Sequence, residues 1–262
     1  MARPALVLAA HGSRTYPESL TPLRQHAAAL AESGRWRCVT PAFVYGQPTL
    51  REVAQGMDDG PVVVVPFFMA EGYFTRTVLP RELGLEQKPQ RPLRPQWRVT
   101  PPLGCASGLG QVVLSRVRAA VGAVPLASVG LLLVGHGTAR DANSRQTTFD
   151  HAAALAAAGL REVRAAFLEE PPLIAPTLAQ LAGDTVCVVP LFVADALHTI
   201  EDIPRELGLA GEPGAWQSPT ELGGRPVYYT SAVGNDPAVV DLLADLALAD
   251  DVANTNRDCA QP

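Results

Sequence analysis

The chain has 262 residues, 47% of them hydrophobic and 18% charged, and carries a net charge of −5. That is enough apolar material for one large domain or two of roughly 125 residues, and the negative balance argues against nucleic acid as the main partner. No run approaches the ~18 consecutive apolar residues of a membrane span, and the opening MARPALVLAAHGSR lacks a signal peptide's length and cleavage pattern, so a cytoplasmic protein that engages no membrane is expected.

Ala5 to Ala10 is an apolar run suited to a strand covered on both faces. The turn HGSRTYPE follows, then a helix whose Leu20, Leu23, Ala27 and Leu30 recur at helical spacing up to Gly34. Val39 to Val44 reads as the second strand, a short helix from Thr49 carries Leu50 and Val53 inward, and PVVVVPFF, Pro61 to Phe68, is the least ambiguous strand. Thr75 to Leu83 is a helix ending at Gly84, and the prolines of KPQRPLRPQ make that segment a loop. Trp97 to Thr100 is a fourth strand and Leu109 to Val121 a helix. The second half replays this order with strands at Val129 to Val134, Val163 to Leu168 and Val186 to Phe192, separated by helices at Ser144 to Ala158 and Ile174 to Leu181. A helix from Ile200 to Leu207, a Gly/Pro-rich loop from Gly211 to Gly224, a strand from Val227 to Tyr229 and a helix from Pro237 to Leu248 complete it. Strands alternating with helices imply parallel sheets with helices on both faces.

Two pairs of segments are near copies. ALVLAAHGSR (Ala5 to Arg14) matches LLLVGHGTAR (Leu131 to Arg140), and VPFFMAEGYFTRTVLPRELGL (Val65 to Leu85) aligns without a gap onto VPLFVADALHTIEDIPRELGL (Val189 to Leu209). The chain is thus read as an α/β duplication of two similar lobes, residues 1–124 and 125–249, each a four-stranded parallel sheet flanked by helices, with a flexible tail at 250–262. Two repeats in one chain make a monomer sufficient. Divided at that boundary, the first lobe holds 14 Lys+Arg against 8 Asp+Glu and the remainder 7 against 18. That contrast suggests a first lobe that holds a polyanion and a second that attracts a cation. The cysteines, Cys38, Cys105, Cys187 and Cys259, show no CxxC spacing and read as reduced thiols.

In a doubly wound sheet the first strand lies beside both the second and the third, and loops at the carboxyl ends of strands roughly 4.8 Å apart form the ligand crevice. Superposing the halves, His11 answers His136, Tyr45 answers Glu169 and Phe74 answers His198. His136, Glu169 and His198 follow the first three strands of the second lobe, so two imidazoles and a carboxylate can converge there. That donor set suits Co(II), Fe(II), Ni(II) or Zn(II). A single His after a strand is ordinarily a turn residue; a turn role gives no reason for two of three such positions to become aromatic in the other copy. Tyr45, Phe74 and the neighbouring Tyr73 either present an aromatic wall to a flat ring or fill the volume of a dead site. Arg14, Arg76, Arg140 and Arg145, in turns on the crevice side, either pair with substrate carboxylates or are solvated. Glu201 and Asp202 either feed metal and orient the His198 ring or cap the short helix that follows.

On the HGS/T turn after the first strand, the FLE end of the second and the VPLF.....H...DIP block around the third, the chain resembles the sirohydrochlorin chelatases of the CbiX/SirB type in their long, duplicated form, over nearly its whole length to about Leu248. The resemblance implies the bilobal class II chelatase fold and insertion of a divalent metal, cobalt or iron, into sirohydrochlorin or a related tetrapyrrole in cobalamin or siroheme biosynthesis. It makes His136, Glu169 and His198 the catalytic and metal-binding residues, and turns Arg14, Tyr45, Tyr73, Phe74, Arg76, Arg140 and Arg145 toward the macrocycle. The metal (Co2+, Fe2+ or Ni2+) is then a substrate and no tightly bound cofactor is expected. With Cys259 alone in the tail, no iron–sulfur cluster forms within one chain. Long sirohydrochlorin chelatases often keep the intact site in the first half; keeping it in the second is more similar to ferrochelatase and the anaerobic cobaltochelatase. The competing reading is a non-catalytic metal- or tetrapyrrole-binding protein such as a metal chaperone. A histidine phosphatase fits poorly, because Ala10 and Gly135 stand where that family has a phosphate-binding Arg, and no GxSxG elbow marks a serine hydrolase.

Overall fold

Strands without a polar break form the centre of each sheet, as burial on both faces demands. In the computed structural model, which describes residues 3–58, 60–85, 96–138, 142–209 and 218–249, β1 (Ala5–Gly12) is buried from Ala5 to Ala10 and lies between β2 (Val39–Tyr45) and β3 (Val62–Pro66). With β4 (Trp97–Val99) beyond β3, these make a parallel sheet of order β2-β1-β3-β4. Helices α1 (Thr21–Glu32), α2 (Leu50–Gly56) and α3 (Leu79–Leu83) return the chain between strands. On one face, Val7, Ala9, Val62 and Val64 meet Leu50, Val53, Leu79 and Leu83 in a single apolar layer.

After α4 (Leu109–Val121), β5 (Val129–Gly135) begins the second sheet and is buried throughout. α5 (Ala142–Leu155), β6 (Glu162–Phe167), α6 (Ile174–Gln180), β7 (Thr185–Pro190) and α7 (Ile203–Leu207) repeat the first pattern, and Leu132, Val134, Val186 and Val188 pack on Ile174, Ile203 and Leu207. Here the expectation of four strands falls short. The stretch read as a loop from Gly211 to Gly224 contains β8 (Thr220–Leu222), antiparallel to β9 (Arg225–Tyr229), giving a five-stranded sheet of order β6-β5-β7-β9-β8. Three residues of strand between prolines and glycines leave too little periodicity to read. α8 (Val239–Leu248) ends the described chain.

The compact units do not follow the boundary between the sequence repeats at residue 124. The two compact units are Met1–Ala106 with Pro237–Pro262, and Ser107–Asp236. α4 packs on α5 and β7, and α8 packs on α1 and β3, so each sheet is covered by the last helix of the other repeat. Arg116, on α4, is tied to Asp236 at 3.0 Å and to Ser231 Oγ at 2.7 Å. In the first unit Arg98 donates to the carbonyls of Ala247 and Ala249 at the end of α8, at 2.6 and 2.9 Å, a cation at the negative end of a helix. The periodicity of a helix shows which face is apolar but not which sheet that face covers. Recounted by unit, the charges are 13 Lys+Arg against 13 Asp+Glu in the first and 8 against 13 in the second. The first unit is therefore neutral rather than basic, while the second stays acidic, so a first lobe that holds a polyanion by its charge has no support.

Among the described residues no helix is long and apolar enough to cross a membrane. Of the described cysteines none is in a disulfide, and burial pushes the Cys187 thiol up to about 12. Arg140, the bulk of the proline-rich segment, and the tail with Cys259 lie outside the described residues.

Candidate active site

The second sheet positions three side chains at the carboxyl ends of adjoining strands. β5 pairs with β6 and β7 so that Gly135 is level with Phe167 and Val134 with Pro190. His136 leaves β5 immediately after Gly135, and its carbonyl accepts the N–H groups of both Leu168 and Glu169 at 3.2 Å, which fixes the end of β6 beside it. Glu169 then reaches back, with Oε1 3.7 Å from His136 Nε2. His198 begins a π turn, His198–Asp202, and its ring stands edge-on to that of His136, with centroids 4.9 Å apart and planes at 80°. Phe192 lies 6.3 and 6.2 Å from the two imidazoles. The three polar side chains are 39%, 54% and 38% exposed in that order, so the hollow is open to solvent.

Both histidines have one nitrogen tied down. His136 Nδ1 donates to the Gly137 carbonyl at 2.7 Å; an amide oxygen only accepts, so in the neutral ring the lone pair is on Nε2. Gly137 turns its carbonyl toward the ring with φ 69°, and a Cβ there would sit 2.8 Å from that of Phe167. His198 Nδ1 lies 2.7 Å from Asp202 Oδ2, and Arg205 bonds the other carboxylate oxygen. Burial works to raise the Asp202 pKa, but the bonds from His198 and Arg205 together outweigh it and hold the carboxyl below its usual range. Each imidazole thus has Nε2 available for a metal ion or a proton. Among the described residues no group of three or more His, Cys, Asp or Glu side chains is placed to hold a metal ion together; the structure brings Glu169 and His198 each to His136.

The first sheet repeats the scaffold with other side chains. His11 Nδ1 donates to the Gly12 carbonyl at 2.8 Å, as in the twin. Its ring, however, is met edge-on by Tyr45 at 4.9 Å and by Phe74 at 4.4 Å, and Phe68 stacks on Phe74 at 6.2 Å. Tyr73 is 61% exposed, and Arg14 lies 5.3 Å over the Tyr45 ring. Arg76 pairs with Glu71 at 2.9 Å. Arg145 faces Glu170 at 3.5 Å. Glu170 also accepts from the Thr138 N–H at 2.8 Å, so it braces the turn after His136. Sequence reasoning did not single out Glu170, although it stands next to Glu169. It left Glu201 and Asp202 undivided, and spacing could have separated them: only Asp202 lies four residues beyond His198.

Comparison with known proteins identifies relatives of the whole chain. The CbiX family profile matches residues 5–120 and again 130–248. A Halobacterium salinarum protein named "probable sirohydrochlorin cobaltochelatase" is 33% identical over 263 residues, covering 93% of this chain and 90% of that protein. Among solved structures, a multi-domain protein from Deinococcus radiodurans with structural similarity to chelatases superposes with a TM-score of 0.76 at 28% identity, over 94% of this chain; the chain spans 55% of that longer protein. A CbiX described as the terminal enzyme for siroheme biosynthesis in denitrifying bacteria superposes with a TM-score of 0.69 at 28% identity, over 93% of this chain and 97% of that one.

Proposed function

The chain belongs to the CbiX family, and from that premise we propose that it inserts a divalent metal, cobalt or iron, into sirohydrochlorin or a closely related tetrapyrrole. The names of its relatives support both metals, one a cobaltochelatase and one an enzyme of siroheme synthesis. One observation carries the assignment of the site: the scaffold is the same in both lobes, but only the second surrounds its histidine with further metal-binding groups, Glu169 and His198 in place of Tyr45 and Phe74.

A free macrocycle holds two inner N–H protons, and both must leave as the metal enters. An imidazole is neutral and basic near pH 7, so it serves either as proton acceptor or as ligand. In this reading His136, whose Nε2 faces Glu169, is the primary base and metal ligand. His198 is the second imidazole, and Glu169 balances the cation's charge and passes protons to solvent. A metal that must depart with the product is better served by an open, half-exposed hollow than by a cage. Arg76 and Arg145 have carboxylate partners within the chain and would have to exchange them to bind substrate.

The test is purified protein with sirohydrochlorin and Co(II) or Fe(II), following the absorbance change against metal alone. Acceleration that disappears in His136→Ala supports the proposal. Metal binding without acceleration would identify a non-catalytic carrier instead, and undiminished acceleration in His136→Ala would move the chemistry elsewhere.

A further inference from the structure

The two lobes contain the same unusual turn built from different side chains. Phe74–Val78 and His198–Asp202 are both π turns, closed by the N–H of Leu79 or Ile203 donating to a carbonyl five residues back. In both, a threonine hydroxyl receives the N–H three residues before it, Gly72 to Thr75 and Ala196 to Thr199, each at 2.9 Å. In both, the turn runs into a Pro-Arg-Glu-Leu helix whose proline lacks the N–H that an α register would require. Three positions differ together: Phe74 against His198, Val78 against Asp202 and, at the same register on the last parallel strand, Val99 against Tyr229. The Tyr229 hydroxyl donates to the Thr199 carbonyl inside the turn at 2.6 Å. Burial first, with Asp195 adding to it, raises the phenol's pKa, so it remains a donor. Because the first lobe forms its turn with Val78 and Val99, neither Asp202 nor Tyr229 is needed to make the turn. Both arrive with the histidine.

We propose that Asp202, anchored by Arg205 and backed by Tyr229 through the turn, is a positioning residue that holds His198 as its Nδ1–H tautomer, edge-on to His136 with Nε2 unprotonated. The inference rests on the function proposed above and assigns a cause to the reactivity of its second imidazole. A neutral imidazole without an acceptor at Nδ1 favours the Nε2–H tautomer, in which the nitrogen facing the hollow can neither bind a cation nor take up a proton. The Asp202 carboxylate reverses that preference, and the Arg205 guanidinium on its second oxygen keeps it from swinging to solvent. An outer partner of this kind typically contributes about 10–100-fold to metal affinity or activity.

The experiment is 15N NMR on histidine-labelled, metal-free full-length protein at fixed pH 8, with the His198 signals assigned by their loss in His198→Gln. Wild type is expected to show His198 as Nδ1–H. Asp202→Val, which installs the residue the twin turn already tolerates, is expected to show Nε2–H, to lose about 10–100-fold in kcat for metal insertion and to change KM for the macrocycle by no more than about twofold. In Asp202→Asn the amide oxygen goes to the Arg205 donor and the NH2 faces Nδ1, so this near-isosteric variant is also expected to show Nε2–H and to lose rate as Asp202→Val does. An unchanged His198 tautomer in Asp202→Val, or an unchanged kcat, overturns the proposal. A wild type with the expected tautomer that inserts no metal overturns the chelatase reading and leaves the tautomer assignment standing.

Discussion

His11 and His136 hold the same place in the same turn, each bonded through Nδ1 to the carbonyl of the glycine that follows, at 2.8 and 2.7 Å. The rings around them have diverged completely. Edges of Tyr45 and Phe74 close on His11, while Glu169 and His198 stand beside His136. The histidine and its turn therefore belong to the scaffold, which both lobes kept. Chemistry enters at the ends of the other two strands, where a donor either joins the imidazole or is replaced by carbon. The twin with no donors is an internal control for the one that has them.

The strongest way to break this comparison is to remove each histidine in turn. His136→Ala is expected to lower metal insertion by about 10²–10⁴-fold, the range for a lost proton acceptor, whereas His11→Ala should stay within about threefold of wild type; equal losses in steady-state assays would sink the asymmetry. Folding should show the opposite pattern, with the lobes behaving alike. Gly104 and Gly234 occupy matching positions where a Cβ would sit 1.7 Å from the Met69 carbonyl oxygen and 2.1 Å from that of Val193. Gly104→Ala and Gly234→Ala should each cost about 3 kcal/mol or more, since backbone must move, as read by urea denaturation. A smaller effect is expected at the arginines that secure the exchanged helices. Arg116→Ala loses a charged partner in Asp236 and should destabilise by about 2 kcal/mol, and Arg98→Ala, which bonds only carbonyls, by about 1 kcal/mol. The smallest signal sharpens the comparison most: Tyr45→Glu with Phe74→His should add a second, weaker Co(II) equivalent per chain in calorimetry. Unaltered stoichiometry would mean that the first lobe lost more than its donors.

Much of this was legible in the residues. PVVVVPFF and the copied VP.F and PREL blocks fixed the strands and the duplication, and aligning the copies was enough to nominate His136, Glu169 and His198. What stayed hidden was of a different physical kind. The apolar faces of α4 and α8 are plain in Val112, Val113 and Val117, and in Leu243 and Ala247, but hydrophobic burial is non-directional and names no partner sheet. The charge contrast between halves was arithmetically sound but largely dissolves in the fold, because three arginines and five acids sit in the unit other than the one their sequence position suggests. Arg76 and Arg145 looked available for a ligand because their carboxylate partners, Glu71 and Glu170, were not read as such. Asp202 was separable from Glu201 by its spacing of four residues from His198, a signal the sequence reading left unused; the π turn then places its carboxylate on the ring.

The helix exchange makes the chain's topology one of insertion rather than of tandem beads. Ser107–Asp236 is continuous, whereas the other unit is interrupted, entering before that segment and resuming at Pro237. A gene cut at the sequence repeat would therefore give two fragments, each carrying a helix matched to the absent half. An excision at residues 107 and 236 would release the donor-bearing sheet with its own covering helix, and a short peptide splice would rejoin its host.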